Sequence, residues 1–146
     1  MRRWILICLL LLVPCLARAN PIKVDPGGLS EFWGVAFTAL TVESAVVAAV
    51  LSFTGVSAFR FFVLYFVANF AVFLCVFVPL MRLTDAPLMA ESVVVVADAV
   101  AIKLLGKVAA LQGPKYRTIA LWLALTVSVL GNTASFSIGW LMASVD

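Results

Sequence analysis

From Phe32 to Phe53 the chain runs for 22 residues with one charge, Glu43, close to the middle. At ~1.5 Å rise per residue, such a helix matches the ~30 Å hydrocarbon thickness of a bilayer. Few folds accept a segment of this kind. In lipid its backbone N–H and C=O groups must be bonded within the segment, and a helix achieves this. Three more stretches of similar length follow, Ser57–Leu80, Leu88–Leu111 and Arg117–Met142. The expected fold is an all-α membrane protein. It is a bundle of four transmembrane helices within residues 31–146, with spans at about 32–53, 57–80, 88–111 and 117–142.

Composition agrees. Hydrophobic residues make up 65% of the 146 residues and the mean hydropathy is +1.20, whereas soluble domains run roughly 45–50% apolar. Residues 1–19 carry Arg2 and Arg3, an apolar run from Trp4 to Leu16, and then Ala17-Arg18-Ala19. That is the tripartite pattern of a cleaved secretory signal peptide. Residues 20–30 form a short extracytoplasmic linker with Pro21, Pro26, Gly27 and Gly28, closing on Ser30-Glu31 as a helix start. An acid in a first turn suits the helix dipole, and Trp33 suits the interfacial aromatic belt.

The net charge of +3 belongs to the leader, because Arg2, Arg3 and Arg18 lie there and the rest of the chain has seven basic and seven acidic residues. No basic patch interleaved with aromatics points to nucleic acid as a partner. The chain has no histidine, which removes imidazole acid–base chemistry and most zinc sites. Cys8, Cys15 and Cys75 form no CxxC pair. No cofactor, metal or catalytic residue is expected, and the chain does not read as an enzyme.

The informative residues are the polar ones inside the spans. Glu43, Asn69, Asp98 and Asn132 fall at similar depths, one in each span, with Lys103 about a turn further inward. In hydrocarbon such side chains face the bundle and find partners. Two carboxylates and one ammonium leave one negative charge over, which a shared proton or a bound cation balances. Gly131, Ser135 and Gly139 recur every four residues, a small-residue ridge suited to close helix packing. Phe59, Phe62, Phe66, Phe70, Phe73 and Phe77 form one helical stripe, a packing or lipid-facing ridge.

The third span is the costly one, because Glu91, Asp98, Lys103 and Lys107 lie in it and a charge at mid-membrane costs ~3 kcal/mol. An interfacial amphipathic helix is its alternative reading. With four spans, Arg60, Lys107, Lys115 and Arg117 gather on one side and Lys23 and Arg82 on the other. The positive-inside rule then puts the mature N-terminus and the C-terminus outside. The chain also reads as two tandem helix pairs, with Glu43 matched either to Glu91 or to Asp98 and with Phe59-Arg60 matched to Tyr116-Arg117.

Two functional readings follow. One is a non-enzymatic structural or accessory subunit whose buried polar residues fix helix packing. Its partners are the lipid bilayer and another membrane protein or a second copy. The other is a proton- or cation-coupled transporter or channel component that uses Glu43 and Asp98 at the midplane.

Overall fold

The computed structural model describes residues 29–83 and 87–143. The expected signal peptide and most of the linker lie outside the described residues. Four helices carry the fold: α1 (Leu29–Ser52), α2 (Ala58–Leu83), α3 (Pro87–Leu105) and α4 (Leu121–Ala143). Among the described residues there is no strand beyond one isolated bridge. α1 packs on α2 and most extensively on α4, and α3 packs on α2 and α4. The helices therefore form a ring with α1 and α3 on one diagonal. Three of them, α1, α2 and α4, are long and apolar enough to cross a membrane.

The outward faces bear Val63, Leu64, Val67, Val96, Val100, Leu104, Trp122 and Leu130, all exposed. Such a belt would be an aggregation hazard in water and is at home in lipid. The inward faces bury Val47, Leu51, Phe61, Tyr65, Ile102, Ala124 and Val127. Along the α1–α2 flank the phenylalanine stripe meets α1. Phe37 stacks on Phe70 with ring centroids 5.4 Å apart, and Trp33 meets Phe73 edge-on at 6.3 Å. Such pairs contribute ~0.5–1.5 kcal/mol each beyond their burial. They leave Phe61, Tyr65 and Asn69 as the face of α2 that enters the core.

α2 is not uniform. Its Phe73–Phe77 stretch is a π-turn, in which the Val78 N–H bonds Phe73 O, five residues back. The widened turn sits directly ahead of Pro79. In a regular α-turn the proline ring would crowd the carbonyl of Cys75, four residues earlier. The same helix runs on to Leu83, past the expected end at Leu80.

The third and fourth helices are shorter than the apolar runs suggest. α3 stops at Leu105 rather than Leu111, and α4 starts at Leu121 rather than Arg117. Residues 106–120 are instead occupied in holding the 53–57 loop. Val56 and Gln112 form an antiparallel bridge. Ser57 N donates to Leu111 O at 2.9 Å, Gly113 N to Gly55 O at 2.9 Å, and Arg117 N to Thr54 O at 2.8 Å. Tyr116 Oη and Gln112 Nε2 both donate to Gly106 O just beyond the end of α3. Arg60 Nη1 donates to Ala110 O at 3.1 Å. A backbone committed to these partners cannot also extend the helices. The clasp needs Gly55, whose φ is +85° and whose added Cβ would lie 2.6 Å from the Lys115 carbonyl.

Gly55→Ala is therefore expected to lower stability by about 1–3 kcal/mol, read as a reduced melting temperature in detergent. An unchanged melting temperature would contradict the clasp.

Candidate functional site: a buried acid pair

Each helix brings a polar side chain to the middle of the ring because its neighbours on that face are apolar or small. α1 contributes Glu43 and Ser44, α2 contributes Tyr65 and Asn69, α3 contributes Asp98, and α4 contributes Ser128 and Asn132. Glu43, Asn69 and Asp98 are only 3%, 2% and 0% exposed. Counted along their helices from the clasped end, Asp98, Glu43 and Asn132 lie roughly 11, 14 and 17 Å deep at ~1.5 Å per residue. All three lie well inside the bundle, away from either end of their helices.

Asn132 is the hub. Its Nδ2 donates to Glu43 Oε1 at 3.0 Å, to Asp98 Oδ2 at 3.1 Å and to Ser128 O at 3.0 Å. Tyr65 Oη donates to the same Glu43 Oε1 at 3.1 Å. The Glu43 and Asp98 carboxyl groups face each other within hydrogen-bonding reach, and Asn69 lies beside Glu43. Among the described residues, Ser44 Oγ, Asn69 Nδ2 and Asp98 Oδ1 are buried without a hydrogen-bond partner. Such atoms cost about 1–3 kcal/mol each when left unpaired, so this cluster is not optimised for stability alone.

Glu43 approaches α4 closely because the residue opposite is Gly131. A Cβ there would stand 2.9 Å from both Glu43 Cγ and Val47 Cγ2. Ser135 turns its hydroxyl back to Asn132 O at 3.0 Å. Gly139 lies further along the same helix.

Of the residues singled out from the sequence, the fold brings Glu43, Asn69, Asp98 and Asn132 together. Lys103 stands apart. It is half-buried on α3, and among the described residues it makes no ion pair with either acid. Lys103 lies five residues past Asp98, which at 3.6 residues per turn is ~140° around the helix. Two participants carry weaker sequence signals. Tyr65 is four residues before Asn69 and four after Phe61, and Ser128 is four before Asn132. The i, i+4 spacing places each beside its neighbour on one helix face.

Among the described residues no group of three His, Cys, Asp or Glu is placed to hold a metal ion. No protein-family model, curated protein or solved structure matches the chain. The chemistry of the cluster is therefore the ground for a functional reading.

Gly131→Ala is expected to destabilise the bundle by about 1–3 kcal/mol through overpacking against Glu43. Gly34→Ala meets nothing within 4 Å and is expected to be neutral or mildly stabilising. Melting curves of the two variants in one detergent check the contrast.

Proposed function

We propose that the protein is a non-enzymatic integral membrane bundle of four spans. Its Glu43–Asp98 pair binds a proton or a monovalent cation at mid-membrane, and it serves as an ion-coupled component of a transport system. One observation carries the reading: two buried carboxylates converge on a single neutral amide, with no ammonium or guanidinium bonded to them among the described residues. Purely structural glue in a membrane bundle needs no charge, since neutral polar contacts give ~0.6–2 kcal/mol each. Buried like charges instead call for a positive species to join them.

Topology supports α3 as the fourth span. The loops that precede α2 and α4 are hydrogen-bonded to each other, so both helices start from the same end of the bundle. The chain between them must therefore return through the thickness that α2 crosses. α3 has 19 residues, about 28 Å at the α-helical rise. Its acid at mid-length, Asp98, is buried within the bundle rather than facing lipid.

The clasped end bears exposed Arg60, Lys107, Lys115 and Arg117, which makes it the cytoplasmic end under the positive-inside rule. Both termini then lie outside, as a cleaved leader at residues 1–19 also requires. The arrangement of α1–α2 and α3–α4 as two hairpins, with an acid on the first helix and an Asn on the second, fits a tandem duplication.

The second reading, an accessory subunit, rests on the same bonds. They tie α1, α2, α3 and α4 together and so hold a rigid surface for another membrane protein or a second copy. Glu43→Gln and Asp98→Asn separate the two. In proteoliposomes carrying an imposed proton or sodium gradient, an ion-coupled protein loses at least tenfold in gradient-driven flux with either amide. A packing role predicts normal recovery and undiminished partner binding from the same variants. A reporter fused after Asp146 is expected to be extracytoplasmic. A cytoplasmic reporter would contradict four spans.

A further inference from the structure

We propose that the species this site takes is a single proton held between Glu43 and Asp98, and that the site excludes sodium-sized cations. The inference rests on the acid-pair reading above and narrows its ligand.

A metal cation needs several oxygens with free lone pairs and no N–H or O–H pointing into the same space. Here one oxygen of each acid is already addressed by donors. Glu43 Oε1 receives both Tyr65 Oη and Asn132 Nδ2, and Asp98 Oδ2 receives Asn132 Nδ2. Asn69 Nδ2 is another donor, buried and without a partner, beside the Glu43 carboxyl. Among the described residues, Asp98 Oδ1 and Ser44 Oγ are fully buried oxygens without partners. The Asn132 N–H groups bonded to both carboxylates occupy the space between the acids in which a sodium ion would have to sit.

A proton has the opposite requirement. It needs one oxygen to carry it and one to accept from it. The amide that joins the two acids has fewer protons than acceptors. Asn132 Nδ2 has two protons and meets three acceptors within 3.1 Å. When Glu43–CO₂⁻ and Asp98–CO₂⁻ take up one H⁺, they become a carboxylic acid facing a carboxylate. One acceptor turns into a donor, the pair's charge falls from two negatives to one, and no third group has to move.

Among the described residues, few titratable groups face the pair. α2 supplies Tyr65. α3 supplies Glu91, half-buried and two turns before Asp98. α4 contains no titratable residue among Leu121–Ala143. Lys103 lies around α3 toward the clasped end, and Arg60, Lys107, Lys115 and Arg117 are exposed at that end.

Infrared difference spectroscopy of the full chain in lipid vesicles tests this, reading the carbonyl stretch of protonated carboxyl groups. In sodium-free buffer at neutral pH a carboxylic-acid band is expected, which bleaches as pH is raised. It should be lost in Glu43→Gln and kept in Glu91→Gln. Exchanging sodium for a bulky organic cation should leave the wild-type titration unmoved, and that arm needs no variant to fold. A band that disappears on adding sodium at fixed pH would overturn proton selectivity while leaving an ion-binding acid pair in place. No band at any pH, with no sodium effect, would overturn both.

Discussion

The Asn132 amide is the contact on which the rest of the bundle depends. It is the point where α1, α3 and α4 meet through polar atoms, and Tyr65 brings in α2 through the same Glu43 oxygen. In a bilayer the apolar faces give no strong preference for one helix neighbour over another, because lipid tails are as apolar as leucine. Polar side chains do give that preference, since each one left facing hydrocarbon is costly. The register of the helices follows from these polar contacts. Glu43 has to reach Asn132, and only a glycine at position 131 leaves room for its Cγ.

The two ends of the bundle are built differently. At one end, backbone hydrogen bonds join residues 53–57 to residues 106–120, and the left-handed Gly55 closes the approach. In the other half, α2 widens into the Phe73–Phe77 π-turn ahead of Pro79. Turns of this kind interrupt the regular ladder and recur at functional positions. The acid pair lies between a clasped end and an interrupted helix.

Much of this is legible in the residues alone. Long apolar runs announce α1, α2 and α4, because length and hydropathy are properties of a window and survive any packing. Glu43, Asn69, Asp98 and Asn132 stand out because a polar residue in such a window is rare. The connector is less legible. Val108–Leu111 is as apolar as a helix end, and nothing local says that its backbone is claimed by Gly55 and Ser57 some fifty residues away. Tyr65 is hidden by its own amphipathic character, since a tyrosine in an aromatic-rich helix reads equally as lipid-facing. Lys103 misleads for a geometric reason: it is near the acids in depth, while its azimuth on α3 points elsewhere. Depth can be read by counting residues, but azimuth depends on which helices are neighbours.

The central claim is that Glu43 and Asp98 act as one unit rather than as two independent buried acids. A double-mutant cycle of Glu43→Gln and Asp98→Asn, followed by thermal unfolding in lipid or detergent at fixed pH, tests it most directly. Strong non-additivity is expected, because either single amide already breaks the proton-sharing pair and the second has little left to remove. Additive effects, with each variant shifting stability by the same amount whether or not the other is present, would contradict it.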